Sequence, residues 1–142
     1  MRVVLDTNVL ISAFLWQGVP KELFVLAQRS DITICITKEL AEEFERVLSY
    51  PKFQERLGRI GKTPKEILDE FLEIVDYFPS IHFPTVQIEK DSSDDIFLEA
   101  ALSSGASFII SGDQHLLNLK KFHNIPILTP HQFLIHLKKK RS

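Results

Sequence analysis

The sequence predicts an α/β fold, a single domain in which a parallel sheet of about five strands is sandwiched by helices. Short apolar runs alternate along the chain with segments of helical periodicity, which is the pattern of such folds. The runs are near-continuous rather than alternating, as expected for strands that helices cover on both faces. The length of 142 residues, with 44% hydrophobic side chains, suits one domain over residues 1–142 with a sizeable core.

The first part of the chain supplies two predicted strands and two helices. Residues 3–5 form an apolar strand. Residues 9–16 then show helical spacing, which Gly18 and Pro20 interrupt. Residues 21–29 repeat the helical period. Residues 32–36 are rich in β-branched side chains and too short for a helix, so they predict a buried strand.

Three helices are predicted next. Thr37 is a candidate N-cap for a helix over about residues 38–49, which stops at a proline. Two further helices follow at about 51–58 and 64–77, and the second has Pro64 near its start, where proline is favoured.

The last part of the chain completes the alternation. A strand predicted near residues 85–88 leads into an acidic stretch, and a helix over 95–103 is broken by Gly105. The remaining predicted elements are strands at 108–110 and 125–128, a small helical turn at 116–119 and a helix at 130–139.

Composition and charge exclude several classes of protein. The one cysteine, Cys35, allows no internal disulfide and no thiolate metal cluster. No apolar run approaches the roughly 18 residues of a membrane span and no signal peptide is recognisable, so we expect a cytoplasmic protein without membrane attachment. The net charge of −2 hides opposed blocks, because residues 46–65 carry six bases and one acid while residues 66–113 carry eleven acids and one base.

Two acidic side chains directly follow predicted strands. Asp6 comes after the first strand, and Asp113 lies three residues after the strand at 108–110. In parallel sheets ligands bind beyond the carboxyl ends of the strands, so we expect these two carboxylates to lie close together. Either aspartate alone would more often be a turn residue than a ligand.

Helix geometry selects two further acids. With about 100° per residue, Glu43 borders the apolar arc of its helix. Glu39, one turn earlier, is the next candidate for an inward-facing acid on this helix. Asp94 falls within the apolar face of the next acidic helix, whereas Asp95 and Glu99 fall on its polar side. A carboxylate on an inward face is costly unless a partner or a cation meets it. Asp94 is also a candidate N-cap, so both interpretations stand.

Four carboxylates in one crevice raise each other's pKa, and a divalent cation would resolve that conflict. Oxygen ligands favour Mg²⁺ or Mn²⁺, and the five histidines of the chain show no spacing that suits zinc. Metal ions held by carboxylates commonly serve phosphate chemistry, in which they activate water and stabilise the leaving oxygen. Asn8 and Ser111 are placed to orient a carboxylate or a water molecule, although both could equally be cap or turn residues.

The ordered motifs of the chain then become recognisable. They cover residues 4–10, 37–44, 47–48, 51–53, 91–101, 110–117 and 127–134. In this order and spacing they resemble the PIN domain, a family of metal-dependent nucleases. The resemblance is strongest to the bacterial and archaeal PIN proteins described as toxin components of toxin–antitoxin pairs.

The resemblance implies a small five-stranded parallel sheet and an acidic catalytic site. The four acids of that site, as catalytic residues and metal ligands, would be Asp6, Glu43, Asp94 and Asp113. Asn8 and Ser111 would assist them, and Asp95 or Asp91 could hold a second metal ion instead.

The resemblance also implies a reaction and partners. The expected reaction is hydrolysis of phosphodiester bonds in single-stranded RNA, which leaves a 5′-phosphate, and the expected partners are a second copy of the chain and an antitoxin that blocks the site. The basic block then offers RNA contacts at Arg46, Lys52, Arg56 and Arg59, with an ordinary solvated surface as an equal alternative.

Two other functions stay open from the sequence. One is a non-catalytic domain of the same fold that binds RNA or a protein partner. The other is a phosphohydrolase with Asp6 as nucleophile, which is weakened because Asn8 stands where that class usually has a second aspartate. A dinucleotide-binding domain is excluded, since no glycine-rich loop follows the first strand.

Overall fold

The computed structural model describes residues 1–81 and 92–141, and the side chains of all of these except 92–94 and 141. The strands in this part of the chain are β1 (Arg2–Leu5), β2 (Thr33–Ile36), β3 (Asp76–Tyr77), β4 (Phe108–Ile110), β5 (Lys121–Phe122) and β6 (Ile125–Leu128). The helices are α1 (Thr7–Leu15), α2 (Val19–Gln28), α3 (Lys38–Leu48), α4 (Gln54–Ile60), α5 (Pro64–Leu72), α6 (Ser92–Ser104), α7 (Gln114–Leu117) and α8 (Pro130–Arg141), with a 3-10 turn at Pro51–Phe53.

The strands form one sheet in the order β3-β2-β1-β4-β6-β5. All neighbouring pairs are parallel except β5 with β6, which is antiparallel. In the register of the central strand, Val3 pairs with Ile34 on one side and with Phe108 on the other. The three residues that precede Asp6 in β1 are buried, as their unbroken apolar run predicts. The predicted α/β fold with a largely parallel sheet is therefore confirmed.

Three local predictions differ from the structure. Strands β3 and β5 were not expected, because two residues are too few to carry a periodic pattern. Helix α5 ends at Leu72 rather than at residue 77, because the chain turns into β3 and the Phe78 N–H donates to the Ile36 carbonyl oxygen at 2.8 Å. The single helix expected over 51–58 is a 3-10 turn followed by α4, and Gly61 caps the end of α4 in the left-handed conformation. The strand predicted near 85–88 lies outside the described residues.

The ends of three parallel strands lie side by side and create the crevice that the fold class predicts. The Asp6 N–H donates to the Ile110 carbonyl oxygen at 3.0 Å, which joins the end of β1 to the end of β4. The Ser111 N–H donates to the Leu128 carbonyl oxygen at 2.9 Å and joins β4 to β6 in the same way. The residues that follow β1 and β4 are thereby held at one edge of the sheet.

A cluster of three phenylalanines anchors helix α3 against α1 and α5. The ring centroid of Phe44 lies 5.9 Å from that of Phe14 and 5.1 Å from that of Phe71. Phe14 and Phe71 complete the triangle at 5.5 Å, with their ring planes at 88°. Phe44 and Phe71 are fully buried. Because Glu43 precedes Phe44 on α3, this packing also fixes the position of that carboxylate.

Among the described residues, no single helix is long and apolar enough to span a membrane. Helices α1 and α2 together reach that length and apolarity, but they are bent by 85° relative to each other. Leu10 of α1 and Leu23 of α2 belong to the buried core.

Candidate functional site

A cleft of about 280 Å³ opens at the carboxyl ends of β1 and β4. Three carboxylates face it, and they come from three separate segments of the chain: Asp6, Glu43 and Asp113. The cleft is completed by seven other side chains, namely Thr7, Asn8, Val47, Tyr50, Lys52, Phe97 and Leu116. The structure thus brings together three of the four acids that the sequence singled out, with Asn8 among their neighbours.

Asp6 is held by donors on both carboxylate oxygens. It is the N-cap of α1, where Oδ1 accepts a hydrogen bond from the Val9 N–H at 2.8 Å. Oδ2 accepts from the Ser111 hydroxyl and from the Gly112 N–H, the latter at 3.3 Å. Ser111 is fully buried and accepts in turn from the Asp113 N–H at 3.0 Å. Asp6 is therefore the N-cap of a helix, and its carboxylate also faces the cleft.

Burial raises the pKa of the Asp6 carboxyl above its ordinary value, because only 9% of the residue is exposed and charge is poorly solvated there. The hydrogen bonds from Ser111, Val9 and Gly112 act in the opposite direction, and the nearby charge of Asp113 raises this pKa further. A bound cation would reverse the balance, since it favours the ionised carboxylate.

Glu43 is 6% exposed, as its place on the helix arc predicts. Its two oxygens have different partners. Oε2 accepts from the Thr7 hydroxyl at 2.7 Å, and Oε1 lies 3.6 Å from the Arg46 guanidinium one turn later. Glu39 and Glu42, on other faces of α3, are exposed. Glu43 is therefore the acid of this helix that faces the cleft.

Asp113 is exposed at the rim of the cleft, where it caps α7 through a hydrogen bond from the His115 N–H at 2.9 Å. Asp94 lies in the first turn of α6, but its side chain is outside the described residues. Asp91 lies outside them altogether, and Asp95 is half-buried.

The expectation that Glu99 lies on a polar face of α6 was wrong, because Glu99 is buried. Helix α6 packs on β1 and β2 and also against α3, so more of its circumference is covered than one apolar stripe predicts.

The donors that face the cleft are oxygen atoms, which suit a hard divalent cation such as Mg²⁺ or Mn²⁺. Among the side chains that the structure describes, no three acidic, histidine or cysteine groups are close enough to hold a metal ion. Asp6 and Glu43 are the described acids placed deepest in the cleft, and a metal ion there would have to compete with Arg46 for Glu43.

The basic residues suggested for RNA contact have different surroundings. Lys52 lines the cleft. Arg46 lies between Glu43 and the Tyr50 hydroxyl, to which it donates a hydrogen bond at 2.8 Å. The two other bases lie away from the acids of the cleft: Arg56 donates to the Leu15 carbonyl oxygen at 2.6 Å, and Arg59 pairs with Glu55 at 2.7 Å.

Two of the residues with hydroxyl groups in the cleft, Thr7 and Tyr50, were not singled out by the sequence. Thr7 directly follows Asp6, and its position beside an acid was the one available signal. Tyr50 follows Glu43 by seven residues, which is about two helical turns and would place it on the same side of the helix. That spacing was a usable signal, although Tyr50 stands just beyond the end of α3.

The comparisons with known proteins agree with this architecture. VapBC2 from Rickettsia felis, solved bound to a DNA fragment from its promoter, is similar in structure with a TM-score of 0.62 and 15% identity, over 89% of this chain and 97% of that chain. PAE2754 from Pyrobaculum aerophilum gives a TM-score of 0.61 and 16% identity, over 98% of this chain and 90% of that chain. Both likenesses show a shared fold.

Sequence comparison assigns the family. A search of curated proteins finds no match to the sequence. The family profile of the PIN domain matches residues 2–115, which include β1, α3, β4 and all of the acids described above. Because this match extends over most of its length, the chain belongs to the PIN domain family.

Proposed function

We propose that this protein is a metal-dependent endoribonuclease that hydrolyses phosphodiester bonds of single-stranded RNA, as the toxin of a toxin–antitoxin pair. The observation that carries the proposal is the cleft in which Asp6, Glu43 and Asp113 converge at the carboxyl ends of the strands. PIN domains are generally nucleases that use divalent metal ions, and carboxylate oxygens are the kind of ligand that such ions prefer.

In this proposal Asp6, Glu43, Asp94 and Asp113 hold Mg²⁺ or Mn²⁺. The bound cation supplies an activated water molecule and neutralises charge on the phosphate. Ser111 and the Gly112 N–H fix the direction of the Asp6 carboxylate, and Thr7 does the same for Glu43. The same hydrogen bonds hold the Asp6 and Glu43 carboxylates in place before any cation binds, while Arg46 would have to release Glu43 when it does.

The proposal includes a cytoplasmic location, a homodimer and an antitoxin that covers the cleft. The resemblance to PIN-type toxins supports these partners, and the similar protein from Rickettsia felis is itself a VapBC2 assembly. Co-expression of the chain with the product of a neighbouring small gene, followed by sizing of the purified complex, tests both partners together.

The central experiment measures cleavage of a labelled single-stranded RNA by the purified protein. We expect cleavage with Mn²⁺ or Mg²⁺, none in EDTA, and products that carry a 5′-phosphate. Replacing Asp94 by asparagine is expected to abolish cleavage, because it removes one of four proposed metal ligands. RNA binding without cleavage under every metal condition would instead identify a non-catalytic binding domain.

Glu43→Gln is expected to lower the cleavage rate by about tenfold or more and to weaken Mn²⁺ binding, because the amide keeps the shape of the side chain and removes its charge. Glu42→Gln is the matched control, since Glu42 is the exposed neighbour on the same helix. Calorimetric titration with Mn²⁺ and the RNA assay measure the two effects. Equal behaviour of the two variants would show that Glu43 is not a ligand.

A further inference from the structure

A continuous strip of aromatic and basic side chains leads away from the acidic cleft. It consists of Tyr50, Lys52, Phe53, Trp16 and Arg56, and we call it the Tyr50–Trp16 strip. Tyr50 and Lys52 line the cleft beside the carboxylates. The Lys52 ammonium lies 5.1 Å from the centre of the Phe53 ring, and that ring lies 6.2 Å from the ring of Trp16. The Arg56 guanidinium lies 5.7 Å from the Trp16 ring and ends the strip.

The two terminal rings of the strip are exposed although large aromatic side chains favour burial. Trp16 is 42% exposed and Tyr50 is 39% exposed. Phe53 is buried, and its ring packs against the ring of Trp16. Both exposed rings are also fixed in place. Arg46 donates a hydrogen bond to the Tyr50 hydroxyl at 2.8 Å. Arg56, which contacts the Trp16 ring, is itself held by its hydrogen bond to the Leu15 carbonyl oxygen at the end of α1.

Lys52 and Arg56 differ from two other bases of residues 46–65. Arg59 pairs with Glu55 at 2.7 Å and Lys62 with Glu70 at 2.6 Å, so acids of the protein already neutralise their charge. Within the described part of the chain, Lys52 and Arg56 form no ion pair and instead contact aromatic rings, so their positive charge is available to an anion. Exposed rings that alternate with available cations are the pattern that binds single-stranded nucleic acid.

The geometry points to the Tyr50–Trp16 strip as the surface that guides single-stranded RNA into the acidic cleft. Bases stack on Tyr50 and Trp16, and phosphates contact Lys52 and Arg56. This inference rests on the proposed function, because it takes RNA as the substrate. The inference adds that the RNA-binding surface lies on the side of the cleft formed by α1, α3 and the 3-10 turn. It also adds that RNA binding there does not require a metal ion.

The chain carries a built-in reporter for this surface, since Trp16 is its one tryptophan. The experiment titrates wild-type protein with an oligouridylate of about ten nucleotides in EDTA at low salt, and follows both Trp16 fluorescence and the anisotropy of labelled RNA. We expect saturable quenching of Trp16 at the same RNA concentrations that raise the anisotropy. Binding that leaves Trp16 fluorescence unchanged, or no binding at all, overturns the inference and favours a protein partner for these rings.

Variants separate stacking from charge. Tyr50→Ala is expected to weaken RNA binding about fivefold to a hundredfold, whereas Tyr50→Phe keeps the ring and should bind within about twofold of wild type. Lys52→Gln should reduce the salt dependence of log K by about 0.7, the contribution of one phosphate contact in single strands. Tyr77→Ala and Lys140→Gln are the matched controls, because both residues are exposed and lie outside the strip.

The outcomes also distinguish this inference from the proposed function. RNA binding that depends on Tyr50 and Lys52, without cleavage in any metal ion, would support the strip and contradict the nuclease. Cleavage that is insensitive to the same variants, with unchanged RNA binding, would support the nuclease and overturn the strip.

Discussion

Asp6→Asn is expected to lower the rate of RNA cleavage by about a thousandfold or more while the protein stays folded. The buried carboxylate lines the cleft, where its charge would attract the cation. Asparagine retains the oxygen that accepts from the Val9 N–H, so the cap of α1 should survive. Single-turnover cleavage in Mn²⁺ measures the loss.

Two further variants serve as controls for the loss of cleavage in Asp6→Asn. Ser111→Ala retains the Asp6 charge but removes its hydroxyl donor, and it should reduce the rate by about tenfold to a hundredfold. Asp69→Asn removes a carboxylate on α5, away from the cleft, and should leave the rate unchanged. An Asp6→Asn protein with near wild-type activity would remove Asp6 from the catalytic site.

Asp6→Asn is also expected to raise the free energy of unfolding in EDTA at neutral pH. The pKa of Asp6 is raised in the folded protein, so the unfolded chain releases this proton at lower pH than the folded chain does. Stability consequently falls as pH rises from the unfolded pKa to the folded pKa, and the cost is complete above that window. The neutral asparagine side chain carries no such cost, although the Ser111 hydroxyl and the Gly112 N–H both lose the oxygen that accepts from them.

Thermal unfolding in EDTA between about pH 4 and about pH 8 tests this sign. We expect the Asp6→Asn protein to melt at a higher temperature than wild type at neutral pH, and the difference to shrink toward the acidic end. A difference that grows as the pH falls would contradict the raised pKa.

Phe44→Ala is expected to lower the free energy of unfolding by about 3–5 kcal/mol. The ring is fully buried and contacts Phe14 and Phe71, so its removal leaves a cavity between α1, α3 and α5 and ends two aromatic contacts. A domain of this size is typically stable by about 5–15 kcal/mol, so the loss would remove a substantial part of the free energy of unfolding.

Urea unfolding followed by circular dichroism measures this loss. Tyr77→Ala is the comparison, because Tyr77 is exposed and its removal should change stability by about 0.5 kcal/mol or less. A loss below about 1 kcal/mol for Phe44→Ala would mean that the three-ring cluster collapses around the gap or contributes little. Where the variant stays folded, weaker Mn²⁺ binding is also expected, since Glu43 is the preceding residue on α3.

Much of the architecture was predictable because its determinants are local. The apolar runs of β1, β2 and β4 identify buried strands without reference to anything else in the chain, and their alternation with helices implies a parallel sheet. The burial of Glu43 followed from the angular position of the side chain on α3, which depends only on spacing. Strands β3 and β5 were not predicted, because they form only through pairing with a neighbouring strand.

The sequence alone thus determined the fold class, the PIN family and the set of acids proposed for the site. Only the tertiary structure decided how Asp6 and Glu43 are held, because hydrogen bonds and ion pairs depend on distances between groups that the fold sets. It also separated Arg59 and Lys62, which acids of the protein neutralise, from Lys52 and Arg56, which contact aromatic rings. A count of charges cannot make that division, since each charge acts through the groups that pack around it.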